Sequence, residues 1–234
     1  MTELHVLRVF VGPDGRGGNP LGVFVDGRAI EPDRRQAVAA NLGFSETVFV
    51  DAIDDGSHEA EHGAATIRIF TPGTELAFAG HPTVGTSWLL AELGREVGTL
   101  HVPAGDVVTW QDDGRTWVRA RAAWVHDIDV REYGSPAEVD ALSPDASYEV
   151  GIYAWAWEDE AAGRVRARYF AADIGIAEDE ATGAAAVVLG DQLARSLTIR
   201  QGVGSELLVR PDPGAGTVDV GGRSELVEVR VIDP

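Results

Sequence analysis

The residue types present in the chain restrict the chemistry it can perform. The sequence contains no Cys, and all 19 of its basic residues are Arg, so it also lacks Lys. A thiolate nucleophile, a Schiff-base lysine and a phosphate-loop lysine are therefore excluded. Any catalysis must rest on carboxylates, imidazoles, hydroxyls, backbone amides or a bound metal.

Residues 58–62 read HEAEH, which fits the pattern His-Glu-x-x-His. On a helix, His58 and His62 could hold zinc while the Glu acts on its water. The surrounding segment, DAIDDGSHEAEHGAAT, has no apolar helical face, and a zinc protease motif lies on a long buried helix with a third ligand nearby. We therefore interpret HEAEH as a loop and expect no catalytic metal, although incidental surface binding by the two His remains open.

Glu46 is a second candidate, in the stretch NLGFSETVFV (41–50). The helix before it ends at Gly43, and an apolar strand follows it. A carboxylate at the start of a buried strand would have a raised pKa and could accept and return a proton near neutral pH. The alternative is an ordinary Glu at an exposed strand end.

His81 and Asp179 occupy similar places before two apolar helical stretches, HPTVGTSWLL and DEATGAAAVV. Each is predicted to lie at the N-cap. The amides of two facing helix N-termini would bind an anion such as a carboxylate, and glycines such as Gly80 and Gly183 would let the backbone approach it. Alternatively, Asp179 merely caps its helix and His81 is a satisfied buried histidine.

Short alternating strands position these residues and predict a mixed α+β fold in which β structure predominates. Only three stretches indicate helices, and the first two begin with Pro and are followed by Gly. The halves share the order strand, loop, polar cap, buried helix, which suggests two lobes of like architecture. The predicted helices are 32–41, 82–93 and 180–194, and Asp112-Asp113-Gly114 predicts a hairpin.

Five stretches in order along the chain resemble the PhzF-like family of phenazine biosynthesis proteins, which shares the diaminopimelate epimerase fold. They are GNPLGVF (18–24), NLGFSETVFV (41–50), ELAFAGHPTVGTS (75–87), GIAEDEATGAA (175–185) and IRQG (199–202). The resemblance implies two pseudo-symmetric lobes, each a curled, mostly antiparallel sheet around a central helix. We expect the first lobe at 1–105, with 222–234 returning to it, and the second at 106–221.

The resemblance also implies roles for individual residues. Glu46 matches the family's catalytic acid/base, and His81 and Asp179 match its polar partners. The positions assigned to substrate binding are Asn19, Gly80, Thr83, Thr182, Gly183 and Ala184. The expected enzyme is an isomerase or epimerase that needs no cofactor and shifts a proton on a small carboxylic acid.

Two positions depart from the family pattern EDPATGS: Glu180 replaces its Pro and Ala184 replaces its Ser. The lost hydroxyl lies near the acid/base region in the family. The loss of this hydroxyl leaves open the alternative of a non-catalytic protein that still binds small acids. The zinc hydrolase is the more distant alternative.

The net charge and the distribution of apolar residues limit the possible binding partners and locations of the protein. A net charge of −19 repels phosphate backbones, so nucleic acid is not expected. No stretch approaches the ~20 apolar residues that span a bilayer, and the N-terminus has no secretory h-region. We expect a cytoplasmic protein. The resemblance implies a homodimer, with modest support from the aromatic strand IYAWAW (152–157).

Overall fold

The computed structural model describes residues 1–54, 63–125, 127–145, 149–172 and 176–233. Strands dominate these ranges, which confirms the predicted α+β class with β structure in the majority. The first seven strands are β1 (Thr2–Val11), β2 (Gly17–Phe24), β3 (Glu46–Asp54), β4 (Gly63–Phe70), β5 (Glu75–Leu76), β6 (Val97–Val102) and β7 (Gly105–Asp112). The others are β8 (Arg115–Ala120), β9 (Ile128–Glu132), β10 (Gly151–Asp159), β11 (Arg164–Ala171), β12 (Ile176–Asp179), β13 (Leu197–Gln201), β14 (Ser205–Asp212) and β15 (Thr217–Ile232). The α-helices of the described residues are α1 (Arg35–Leu42), α2 (Gly80–Glu92), α3 (Pro136–Asp140) and α4 (Gly183–Leu193).

The same strand pairing occurs twice. In the first lobe, β2 pairs with β3 in parallel, β3 with β4 antiparallel, β4 with β6 in parallel and β6 with β7 antiparallel. In the second lobe, β9, β10, β11, β13 and β14 repeat these four pairings in the same order. The parallel crossover runs through α2 in one lobe and α4 in the other. The two pseudo-symmetric lobes are therefore confirmed.

The last strand connects the two lobes. The first part of β15 pairs with β8 and β14, and its second part, from Arg223 to Ile232, pairs with β1. The proposed division of the chain near residue 106 stays a prediction.

The central helices α2 and α4 are buried because their sequences are small or apolar on nearly every side. All residues from Gly80 to Ser87 are buried, as are those from Gly183 to Val187. Within the described residues, no helix has the length and apolar character that crossing a membrane requires.

The predicted helix boundaries need correction at their N-terminal ends. Helix α1 begins at Arg35 because Pro32–Arg34 forms a 3-10 turn, and it ends before Gly43, which has φ 70°. Helix α2 begins at Gly80, before Pro82, and α4 begins only at Gly183.

The segment 123–150 contains an element that the sequence analysis missed. Ser135 caps α3 by accepting a hydrogen bond from Glu138 N at 3.3 Å, and Pro136 occupies the first turn. Ser-Pro-Ala-Glu has the spacing of a capping box, so a readable signal was present.

The support that IYAWAW gave to a dimer interface is wrong. Tyr153 and Trp155 are buried in the core rather than exposed. The Tyr153 hydroxyl donates to Gln201 Oε1 at 3.2 Å inside the second lobe. The homodimer stays a prediction that rests on the family resemblance.

Candidate active site

The N-termini of the two central helices meet between the lobes. A Cβ atom built on Gly80 would lie 2.7 Å from Gly183 Cα, and one built on Gly183 would lie 2.9 Å from Gly80 Cα. Only glycine allows this approach at either position. Two positive helix ends and their first-turn amides therefore converge on one place.

The predicted N-cap roles of His81 and Asp179 are wrong. The N-caps are Ala79 and Thr182, and neither makes a side-chain capping hydrogen bond. His81 is the second residue of α2, whereas Asp179 is the last residue of β12. Gly80 and Gly183 each begin their helix, so the residue of α4 that is equivalent to His81 is Ala184 rather than Asp179.

Glu46 begins β3 and is 9 % exposed, so the alternative of an exposed strand end is wrong. Its Oε2 atom lies 3.3 Å from His81 Nε2, but neither atom has an aligned hydrogen-bond partner among the described residues. Burial raises the pKa of Glu46 from 4.5 to about 7, although Ser45 offsets part of this effect. Glu46 can thus exist in both protonation states near neutral pH.

The His81 imidazole lies between the Glu46 carboxylate and the Asn19 amide. Burial lowers its pKa from 6.5 to about 4, despite the opposing effect of Asp179. The imidazole is therefore neutral near pH 7. Its Nδ1 atom lies 3.4 Å from Asn19 Nδ2, on the side opposite its contact with Glu46.

Asp179 is held by hydrogen bonds, unlike Glu46. Its Oδ1 atom accepts from Asn19 Nδ2 at 2.7 Å, and its Oδ2 atom accepts from the Thr182 hydroxyl at 2.6 Å. Burial and the nearby Glu46 raise the pKa of Asp179 from 3.8 to about 6, whereas His81 and the two donors lower it.

Asn19, on β2, connects these groups across the lobes. Its Nδ2 atom donates to Asp179 and to the Ala181 carbonyl at 2.9 Å, while its Oδ1 atom accepts from the Ser45 hydroxyl at 3.2 Å. These partners fix the orientation of the Asn19 amide. The structure thus brings Asn19, Glu46, His81 and Asp179 together beside Gly80 and Gly183.

Both of the predicted substrate-binding threonines already have protein partners. The Thr83 hydroxyl donates to the carbonyls of Ala79 and Gly80 at 3.0 and 2.8 Å. The Thr182 amide donates to Gln201 Oε1 at 3.2 Å. By their position in the first turns of α2 and α4, the amides of Gly80, His81, Gly183 and Ala184 lack intrahelical partners, which makes them the candidates for binding a ligand.

Comparison with known proteins agrees with this arrangement. The family model described as phenazine biosynthesis-like protein matches residues 11–120. The trans-2,3-dihydro-3-hydroxyanthranilate isomerase of Pseudomonas fluorescens is 32 % identical over 230 residues, which cover 82 % of this chain and 80 % of the relative. The chain belongs to the PhzF-like family.

Solved structures show the same fold. A PhzF-family phenazine biosynthesis protein of Bacillus anthracis superposes with a TM-score of 0.75 at 20 % identity, covering 99 % of both chains. A hydroxyproline epimerase of Agrobacterium vitis gives a TM-score of 0.59 at 12 % identity, covering 98 % of this chain and 91 % of the epimerase. Together with the named relatives, the PhzF-like family assignment makes this protein an isomerase.

Gln201 is a buried residue of this PhzF-like site that the sequence analysis did not select. Its Nε2 atom donates to the Asp179 carbonyl at 3.0 Å and to Thr182 Oγ1 at 2.9 Å, which fixes the path from β12 into α4. The stretch IRQG was the available signal, but composition and spacing gave this Gln no role of its own.

Both departures from the family pattern lie next to the site. Ala184 is buried in the first turn of α4, as the second residue of that helix. Glu180 directly follows Asp179, and its carboxylate accepts from Val203 N at 3.0 Å. The motif HEAEH lies outside the described residues. Among the residues that the structure describes, no group of three or more His, Asp or Glu could hold a metal ion.

Proposed function

We propose that this PhzF-like isomerase shifts a proton on a small carboxylic acid through a single carboxylate, that of Glu46, without a cofactor. The observation that carries this proposal is the buried Glu46 Oε2, which has no aligned hydrogen-bond partner among the described residues and lies beside two converging helix N-termini. A base with a pKa of about 7 is suited both to remove a proton and to return it.

In the proposed reaction, the Glu46 carboxylate removes a proton from a carbon next to a carboxylate or conjugated with it. The C–H bonding electrons move into the substrate and form an enolate-like intermediate. Glu46 then returns the proton to another carbon on the same side of the substrate, which gives a double-bond shift. Epimerisation requires that the intermediate first turns in the site, so that the proton returns to the opposite face of the same carbon. Either outcome conserves atoms and needs no oxidant.

The negative charge that develops in this reaction needs stabilisation, because the protein as a whole carries a net charge of −19. The amides of Gly80, His81, Gly183 and Ala184 lie in the first turns of α2 and α4. Such amides bind a carboxylate through geometry and the helix dipoles together. They are also placed to stabilise the charge of an enolate-like transition state.

His81 and Asp179 are proposed to orient polar groups of the substrate. The neutral imidazole contacts the Glu46 carboxylate directly. Asp179 is fixed by Asn19 and Thr182, so it presents an acceptor in a constant position. The isomerase of P. fluorescens is named for an anthranilate, itself a carboxylic acid, which supports a carboxylate-bearing substrate here.

The test is a screen of small amino- and hydroxy-carboxylic acids for deuterium uptake in heavy water, with each methyl ester as the matched control. We expect enzyme-dependent uptake into one class of free acid and at least several-fold weaker use of its ester, because esterification removes the charged partner of the amides. An ester that exchanges as well as its acid would refute the placement of the carboxylate.

Ala184 favours a second candidate, a non-catalytic protein that binds small acids. Calorimetry of the same compounds separates it from the isomerase, since binding without deuterium uptake would support the binder. The proposed homodimer is tested by sedimentation at micromolar concentration, where a monomer would contradict it.

A further inference from the structure

Two glycine-rich turns bring the lobes into direct backbone contact next to the site. One joins β1 to β2, and the other joins β13 to β14. A Cβ atom on Gly12 would lie 2.1 Å from the Gly204 carbonyl oxygen, and one on Gly17 would lie 2.3 Å from Ser205 N. No side chain fits between the turns at these points.

A series of hydrogen bonds crosses this contact between the two turns. The buried hydroxyl of Ser205 accepts from Gly18 N at 2.8 Å and donates to Glu180 Oε1 at 2.8 Å. The Glu180 carboxylate also accepts from Val203 N, in the turn itself. We call Gly18, Ser205 and Glu180 the interlobe clasp.

Both ends of the clasp are next in sequence to a site residue. Gly18 precedes Asn19, and Glu180 follows Asp179. Asn19 and Asp179 are themselves joined across the lobes by the 2.7 Å hydrogen bond. The clasp therefore runs beside that bond and fixes the backbone on each side of it.

We propose that Glu180 and Ser205 are positioning residues, which hold Asn19 of the first lobe against Asp179 of the second. The family pattern has Pro where this chain has Glu180, and Pro has no side-chain acceptor for the Ser205 hydroxyl. The clasp is thus a feature of this chain's own residues. Its catalytic effect rests on the function proposed above, but the positioning is measurable in the resting protein.

The decisive variant is Ser205→Ala, which removes the hydroxyl without changing a charge. The Asn19 hydrogen bond lowers the pKa of Asp179, so a displaced Asn19 should raise that pKa. We expect a carbon-13 NMR titration of the Asp179 carboxyl to show an upward shift of the midpoint. On a substrate found in the screen, kcat should fall roughly tenfold with KM little changed, as for a small misplacement of catalytic groups.

Ser87→Ala is the matched control. Ser87 is also a buried serine, and its hydroxyl is 2.6 Å from Thr109 Oγ1, away from the clasp. We expect this variant to lose some stability but to leave the Asp179 midpoint unchanged. An equal shift in both serine variants would refute a specific positioning role.

Two variants of Glu180 keep the test valid if Ser205→Ala does not fold. Removing a nearby negative charge alone should lower the pKa of Asp179, whereas loss of the clasp should raise it. We therefore expect a higher midpoint in Glu180→Ala than in Glu180→Gln, which also loses the charge but keeps an acceptor for the Ser205 hydroxyl. Glu180→Gln, which keeps an acceptor for Ser205, should restore kcat toward the wild-type value.

The two proposals can fail separately. A shifted Asp179 midpoint in Ser205→Ala, with no deuterium uptake by the wild type, would support positioning and contradict the proposed isomerisation of carboxylic acids. Normal exchange with an unchanged midpoint and unchanged kcat in Ser205→Ala would overturn the positioning role alone.

Discussion

The two buried carboxylates of the site differ in how they are held. Asp179 receives hydrogen bonds from Asn19 and Thr182, and its raised pKa is about 6. Glu46 has Oε2 without an aligned partner among the described residues, and its pKa is about 7. Burial raises both pKa values by a similar amount, from 3.8 for Asp179 and from 4.5 for Glu46, so the hydrogen bonds rather than the pKa values distinguish the two carboxylates.

This difference separates two roles that sequence alone does not distinguish. A carboxylate fixed by donors on both oxygens suits a constant acceptor that orients a ligand. A carboxylate with one unengaged oxygen and a pKa near neutrality suits the transfer of protons. The environment of Glu46 therefore favours it over Asp179 as the acid/base.

The largest effect should come from Glu46→Gln. We expect this variant to fold and to lose ~10²–10⁴-fold in proton exchange, the typical contribution of a general acid/base. The measurement is deuterium uptake on the substrate identified by the screen. Glu75→Gln is the control, since Glu75 pairs with Arg68 on β4 outside the site. Near-wild-type exchange in Glu46→Gln would reverse the assignment of roles.

As the pH rises, the wild type should lose stability relative to Glu46→Gln. Because the folded-state pKa is about 7 and the usual value is 4.5, the folded protein retains a proton that the unfolded chain releases. This group's contribution to the free energy of unfolding should fall by about 3 kcal/mol across that window. Urea unfolding of both proteins between pH 4.5 and 7 measures the difference.

Comparing variant with wild type is necessary here because the neighbours also titrate. Asp179, whose pKa is raised, contributes with the same sign between 3.8 and about 6. His81, whose pKa is lowered from 6.5 to about 4, contributes with the opposite sign, so its share of the stability rises with pH. Parallel stability curves for Glu46→Gln and the wild type would contradict the raised pKa of Glu46.

Asp179→Asn should have a smaller effect on activity than Glu46→Gln. We expect kcat/KM to fall roughly tenfold, the equivalent of one charge-assisted hydrogen bond. The rate should still rise with pH through about 7, because Glu46 is retained. Asp219→Asn is the control, since Asp219 pairs with Arg119 away from the site. A loss equal to that of Glu46→Gln would mean that the two carboxylates share the proton transfer.

The sequence predicted local features of the fold well because their signals are local. Pro32 and Gly43 bracket the first helical segment, and Asp113 and Gly114 adopt positive φ between β7 and β8, as the hairpin signal indicated. The N-cap of α4 was misplaced because three residues after Asp179 remain outside the helix. Since Asp and Thr both favour N-caps, composition could not decide between Asp179 and Thr182.

The contacts between the lobes could not be predicted from local signals. Asn19 and Asp179 are 160 positions apart, and spacing carries no information about such a pair. Only the family resemblance selected Asn19. The partners of Gln201 also depend on how β13 packs against α4, so its role was visible only in the structure.

Gly183→Ala tests whether the N-terminal ends of α2 and α4 bind the carboxylate of the substrate. A methyl group there would lie 2.9 Å from Gly80 Cα and 3.0 Å from His81 N, so the helix starts must separate. We expect the Kd of a substrate carboxylate to rise roughly three- to tenfold, because part of the charge-assisted bonding to the amides is lost. Calorimetry measures this change. Gly73→Ala is the control, since no atom lies within 4 Å of the added Cβ.

The smallest expected effect is that of a chelator. If Glu46 and Asp179 act through protons and hydrogen bonds alone, EDTA should leave proton exchange unchanged, and so should the double variant His58→Ala/His62→Ala. Both treatments are compared with wild-type enzyme at the same pH, because the pKa of Glu46 lies near neutrality. Activity that is lost in EDTA and restored by zinc would mean that a metal supplies part of the charge stabilisation. The roles assigned to the two carboxylates from their hydrogen bonds and burial would then be incomplete.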